Sequence, residues 1–378
     1  MISALFGLAL VSLWSADVAS AAPGLALNTF VPTSVTDVSA LKVITSIKNT
    51  GTEPLRLLND PNSVLSTWET NSFEISRAEP SLVSSPTLNF TGILVKYSPQ
   101  AAVKLRKSDL FTLISPGATV NVTHSLLGST YDFSGKGGGN GKYKLKVSTS
   151  GKTFLSVGSD GTITPVEAQE GRVAEVAVSG RLSGPKLQPS GPGAASGKGG
   201  VQQVSSISKR ALFRGCDTNR VNQVLPAASG AENMAHGAHG FLRDGPWATR
   251  RWQEWFGGWD QNRYNLVWGH YDKIRMNIPN LIYDCTCTRE DLYAYVNLGN
   301  YPNVYLCLAY WGAPLDGTDS KMGIIIHEAS HFTELGGTAD HTYGQSNCRN
   351  LARSDPGRAA MNADSHEYFA ENNPWLGQ

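Results

Sequence analysis

The chain has 378 residues, of which 40% are hydrophobic and 17% charged, with a net charge of +1. A charge so near zero gives no argument for nucleic acid, and no apolar run is long enough for a membrane span. The length allows about two domains.

Residues 1–21 have the shape of a signal peptide. Ile2 to Trp14 is mostly apolar, and Ala19-Ser20-Ala21 is a small-residue cleavage site. The expected product is therefore secreted, extracellular and soluble. Residues 22–182 are rich in Val, Thr, Ser, Leu and Gly. Alternating runs such as Leu41-Lys42-Val43-Ile44-Thr45-Ser46-Ile47 and Lys142-Tyr143-Lys144-Leu145-Lys146-Val147 are separated by turn signals such as Asn59-Asp60-Pro61-Asn62 and Gly137-Gly138-Gly139-Asn140-Gly141. This predicts an all-β, sandwich-like domain. Asn89-Phe90-Thr91 and Asn121-Val122-Thr123 are glycosylation acceptors, in keeping with secretion.

Residues 183–210 are Gly-, Pro- and Ser-rich and read as a flexible linker. The linker ends at the dibasic pair Lys209-Arg210, where a processing protease is expected to cut. The cut releases residues 211–378, ample for one domain.

All five cysteines lie in that released part: Cys216, Cys285, Cys287, Cys307 and Cys348. Secretion favours disulfides. Cys285-Thr286-Cys287 does not easily bridge to itself, and spacing leaves several pairings open. Residues 22–210 hold no cysteine, so no thiolate from them can act on the released part. Residues 1–210 carry a net charge of +6 and residues 211–378 a net charge of −5. That difference favours docking of the first part on the second.

Helices are expected around 217–243, 247–256, 259–277, 319–335, 345–353 and 364–371. Between them, Leu292-Tyr293-Ala294-Tyr295-Val296 and Val304-Tyr305-Leu306-Cys307-Leu308 read as strands. The whole is multidomain: an all-β, sandwich-like domain followed by an α-rich α+β domain.

Residues 327–344 read HEASHFTELGGTADHTYG. His327 and His331 sit one turn apart on one helix face, where two imidazoles can bind one zinc ion. Glu328 follows directly and places a carboxylate where it can take a proton from an attacking water. Catalytic zinc needs a third protein ligand and an open position. Glu334 and Gly337 stand where the metzincin pattern wants Gly and His, which excludes that class. Gly336-Gly337 should break the helix and fold the chain back, so that Asp340 reaches the metal and Tyr343 points its hydroxyl into the site. Glu334 and His341 are the alternative third ligands.

HExxH followed by Gly337-Thr338, Asp340 and Tyr343-Gly344 resembles the aspzincins, the deuterolysin-type fungal metalloproteases. The resemblance implies a zincin-like catalytic domain over 211–378. It also implies one zinc ion held by His327, His331 and Asp340, with Glu328 and Tyr343 as catalytic residues. The segment from Tyr283 to Tyr310 resembles the peptidyl-Lys branch, whose pairing implies Cys216–Cys285 and Cys287–Cys307. Cys348 departs from that branch and reads as a buried free thiol.

Residues 361–374 read MNADSHEYFAENNP. Asp364 and Glu367 share a helix face, as a plain solvated charge pair also would. The same stretch resembles the branch's pocket for the residue after the scissile bond, which implies that this pair binds a lysine side chain. Lysine usage agrees: residues 211–378 hold two lysines and eleven arginines, residues 22–210 thirteen lysines and six arginines. The expected protein is thus a secreted zinc metalloendopeptidase made as a proenzyme and cutting on the amino side of lysine. Its partners are protein or peptide substrates, its own pro-domain and the processing protease, without nucleic acid or membrane. A broad deuterolysin-like protease and an inactive secreted zinc-binding protein are the competing readings.

Overall fold

The computed structural model describes residues 24–78, 87–185, 202–203, 211–245 and 249–376. The signal peptide, the pair Lys209-Arg210 and most of the linker lie outside the described residues. Within the linker range, Gln202–Gln203 pairs as a short strand with Leu212 and Phe213.

Three four-stranded sheets are built from strands between Leu25 and Arg181. The two alternating runs form strands as their period requires: Val43–Asn49 buries every second residue, and Gly141–Val147 buries Tyr143, Leu145 and Val147. Their inward side chains meet Leu27, Leu57, Ile75 and Phe154 in one core. A plain sandwich has two facing sheets. Here three four-stranded sheets share the region.

A six-stranded sheet lies in the C-terminal part, in the order Gln202–Gln203, Leu212–Arg214, Ile282–Asp284, Asn303–Leu306, Leu292–Asn297, Ile93–Tyr97. The second strand run ends at Leu306, and Leu308–Gly312 is a short helix. The final strand is contributed by the N-terminal region. All five of its residues are buried, because both of its faces are covered.

Helices cover Thr218–Arg243, Arg250–Phe256, Gln261–Asn277, Lys321–His331, Gln345–Ser354 and Ala363–Glu371. Asp217, Thr249, Asp260 and Ser320 cap four of them with side-chain oxygens. The long first helix buries Ala227, Ala228, Ala231, Ala235 and Ala238, small residues that let it lie close to its neighbours. Cys216 is bonded to Cys285 and Cys287 to Cys307, tying the start of that helix and two strand ends together, while Cys348 is free and buried.

Candidate active site

Helix Lys321–His331 is buried on nearly every side, as its Ile324-Ile325-Ile326 run dictates. The helix ends at His331, four residues before the expected end at 335, with Phe332 as its C-cap. There the backbone turns extended, and the Phe332 carbonyl accepts from the amides of Leu335, Gly336 and Gly337 at 2.9, 2.9 and 3.0 Å. A Cβ on Gly336 would lie 2.5 Å from the Ser330 carbonyl oxygen, and Gly337 has φ of +63°. Both glycines are therefore required by this fold-back. The amide of Thr338 bonds the Ser330 carbonyl at 3.1 Å and that of Ala339 bonds Met361 at 2.8 Å, which returns Asp340 to the helix.

Asp340 Oδ1 lies 3.1 Å from His327 Nε2 and 3.3 Å from His331 Nε2. All three residues are buried, and none of these atoms makes a hydrogen bond. Three lone-pair atoms so gathered without donors are costly unless a cation joins them. The separations are near the edge of a tetrahedron with ligand bonds of ~2.1 Å, roughly 3.4 Å. The donor set thus fits a metal ion.

The far ring nitrogens are fixed as well. His331 Nδ1 donates to the Thr338 carbonyl at 3.1 Å, which leaves Nε2 as the lone-pair atom. His327 Nδ1 faces Asp364 Oδ1 at 2.8 Å and Glu367 Oε2 at 3.3 Å, carboxylates that favour a proton on that nitrogen although neither contact has hydrogen-bond geometry. Glu334 is exposed, and His341 turns its Nδ1 to Arg358 at 3.2 Å, so neither alternative ligand joins the cluster. Burial works against the Asp340 carboxylate, but His331 and His327 outweigh it and hold its carboxyl well below the usual range.

Glu328 is fully buried with both carboxyl oxygens unpartnered, and burial pushes its pKa up to about 8. Tyr343 donates its hydroxyl to the carbonyl of Val95, and Asn62 Nδ2 donates to the same phenol at 2.6 Å. Both partners belong to the N-terminal region, where Asn62 reads in sequence only as part of a turn and Val95 carries no motif.

Asp364 and Glu367 are not a solvated pair. Their side chains are 1% and 0% exposed and enclose the ammonium of Lys96, at 2.9 and 2.6 Å. Asp319 stands at 3.4 Å and accepts from Tyr368 at 2.7 Å. The rings of Tyr293 and Tyr368 lie 5.9 and 5.7 Å from the same nitrogen. Burial disfavours the Lys96 charge, but Asp364, Glu367 and Asp319 overcome it and hold the ammonium protonated. Burial likewise works against the Asp364 carboxylate, and Lys96 and His327 pull its carboxyl well below the ordinary range. Asp319, Tyr293 and Tyr368 were missed in the sequence because no motif spacing links them.

A buried helix with paired histidines and an adjacent glutamate, together with a returning aspartate, defines a metallopeptidase site. Comparison with known proteins narrows the class. Residues 243–371 match the aspzincin family model, described as lysine-specific metallo-endopeptidase. The chain is 38% identical over 373 residues to a peptidyl-Lys metalloendopeptidase of Grifola frondosa, covering 98% of this chain and 99% of that protein. A peptidyl-Lys metalloendopeptidase of Pleurotus ostreatus is 48% identical over 167 residues, 44% of this chain and 99% of the relative. Among solved structures, a zinc peptidase from Grifola frondosa matches at 42% identity and a TM-score of 0.42, over 43% of this chain and 100% of that one. The chain belongs to the aspzincin family of metallo-endopeptidases.

Proposed function

We propose that the protein is a secreted zinc endopeptidase that hydrolyses peptide bonds on the amino side of lysine, made as a proenzyme whose residues 22–210 cover the cleft. One observation carries the lysine reading. Lys96 fills a buried acidic pocket beside the histidine–aspartate cluster, and the carbonyl just before it is held by Tyr343.

His327, His331 and Asp340 would hold the metal. Zinc there would lower the pKa of water to about 7 and polarise a carbonyl. Glu328 takes the proton of the attacking water and hands it to the departing amine. Tyr343 donates its hydroxyl to the carbonyl oxygen as negative charge builds there. Strand Leu292–Asn297 holds the substrate extended by main-chain bonds. Asp364 and Glu367 bind the lysine ammonium that follows the bond, and Asp364 also orients His327.

Processing after Arg210 releases residues 211–378. The Pleurotus relative, of which 99% is matched over 167 residues, has the length of that piece alone. The test is digestion of a protein rich in both lysine and arginine by the processed enzyme, with mass-spectrometric mapping of new amino termini. Lysine at nearly all of them is expected. Termini spread over arginine and apolar residues would overturn the lysine reading.

A further inference from the structure

We propose that the Val95–Lys96 peptide bond is a self-cleavage site: the pro-segment lies in the cleft as a substrate, in register, and is the first bond the enzyme cuts. The inference rests on the function proposed above and adds a specific bond to it.

The register is fixed by independent contacts. Ile93–Tyr97 pairs antiparallel with Leu292–Asn297, with Val95 opposite Tyr295 and Lys96 opposite Ala294. An extended peptide adds to a protease edge strand in this manner. The Val95 carbonyl takes the hydrogen bond from Tyr343, the group placed to serve the carbonyl under attack. The Val95 amide donates to Asp340 Oδ2 at 3.0 Å, which sets this residue beside the histidine cluster. The next side chain, Lys96, is the one in the acidic pocket. Backbone pairing, carbonyl contact and side-chain seat all select the same peptide unit.

Lys96 also differs from its kin. Among the described lysines between residues 24 and 185, it alone is buried. A surface lysine drawn to an acidic patch would keep part of its shell of water. This one is 2% exposed and has exchanged water for carboxylates.

Hydrolysis here adds one water across the amide. Its oxygen joins the Val95 carbonyl carbon, the C–N bond breaks, and the nitrogen leaves protonated as the amino terminus of Lys96. Both new ends stay anchored. On one side the Ile93 amide bonds the Glu69 carbonyl at 2.8 Å and the Leu298 amide bonds Gly92 at 3.0 Å. On the other, the Ser98 amide bonds the Asp291 carbonyl at 2.9 Å, and Ser98 caps helix Pro99–Leu105. The first product is therefore a nicked chain that still covers its own cleft, and release of the fragments follows the cut.

The experiment uses the full chain, purified with chelator and then loaded with zinc. Intact-mass and amino-terminal analysis follow it over time at several protein concentrations, with a fluorogenic lysine peptide added in parallel. We expect a new terminus at Lys96, formed at a rate independent of protein concentration. It should be absent in Glu328→Ala. Lys96→Gln should lose that cut and cleave the added peptide at least tenfold faster at early times. An intact Val95–Lys96 bond in the zinc-loaded wild type overturns the proposal, as does first cleavage at another lysine or a rate proportional to concentration. If the bond stays intact while Lys96→Gln cuts the added peptide before lysine, only the self-cleavage site falls. If the processed enzyme with zinc bound also leaves that peptide intact, the proposed function falls with it.

Discussion

Replacing Glu367 by glutamine tests the lysine pocket with less disturbance of the metal site than the parallel change at Asp364, because Glu367 Oε2 stands 3.3 Å from His327 Nδ1 and Asp364 Oδ1 stands 2.8 Å from it. Glu367 Oε2 lies 2.6 Å from the ammonium in a site where both side chains are shielded from water. Removing one carboxylate from such a desolvated charge pair costs about 2–5 kcal/mol. Each 1.4 kcal/mol is a factor of about ten, so kcat/KM for lysine substrates should fall by roughly 30-fold or more. A leucine after the scissile bond makes no use of that charge. Leucine substrates should be unchanged or slightly improved, because an unpaired buried carboxylate has been removed.

Asp364 differs, since its Oδ1 also faces His327 Nδ1 at 2.8 Å and its Oδ2 accepts the Gly344 amide at 2.7 Å. Asp364→Asn should therefore slow every substrate and weaken metal affinity by about 10–100-fold, the usual effect of removing a carboxylate behind a ligating histidine. The assay is kcat/KM on peptides matched except for Lys or Leu at that position, with zinc affinity measured by chelator competition. If Glu367→Gln keeps the wild-type lysine-to-leucine ratio, the pocket assignment is wrong. If Asp364→Asn binds zinc as tightly as wild type, its orienting role is wrong.

Glu328→Ala should keep stoichiometric zinc, measured by metal analysis, and lose nearly all turnover; retained activity would remove Glu328 from proton transfer. Tyr343→Phe should lower kcat by about 10²-fold, the loss expected for one oxyanion donor, and a change confined to KM would reduce Tyr343 to a binding group. A Cβ at position 323 would meet Glu371 Oε1 at 2.1 Å and Glu367 Cγ at 2.9 Å, and Glu371 is held by Ser320. Gly323→Ala should therefore cost about 1–3 kcal/mol in denaturant unfolding and erode the lysine preference; an unshifted midpoint would refute that packing. Burial pulls the His124 pKa from 6.5 to about 4, where Thr45 Oγ1 lies 3.1 Å from its Nε2. Its contribution to stability is complete above about pH 6.5 and is lost as pH falls through about 4, by up to about 3 kcal/mol. His124→Gln should flatten that part of the acid-unfolding curve of the N-terminal sheets, and an unaltered curve would rule out this histidine as a cause.

The metal cluster was legible because its parts are close in sequence and obey helical geometry. His327, Glu328 and His331 need only a 3.6-residue period, and Gly336-Gly337 announces the fold-back that brings Asp340. The helix end was misplaced because Phe332-Thr333-Glu334-Leu335 contains no breaker; the turn arises from three amides converging on the Phe332 carbonyl. The acidic pair was visible at its spacing, but its third member was not. Asp319 lies far from Asp364 in the chain and is joined to it only through the ammonium and Tyr368.

The covering strand was the least legible element. Ile93-Leu94-Val95-Lys96-Tyr97 reads as one more strand of the N-terminal region, since an apolar run cannot say which sheet it will join. Two clues were nonetheless present separately. Leu292-Tyr293-Ala294-Tyr295-Val296 reads as a strand of the C-terminal part, and the N-terminal region was expected to dock by charge on a lysine-poor partner. The seating of Lys96 in the acidic pocket accords with both but follows from neither. Only a lysine flanked by residues willing to be buried on both faces can take that seat in a strand. The other described lysines of that region are exposed or half-buried and lie outside the acidic pocket, so they become ordinary substrates only once the fold is lost. Occupancy by Lys96 and exposure of the rest thus give a fixed order: the buried bond precedes the exposed ones.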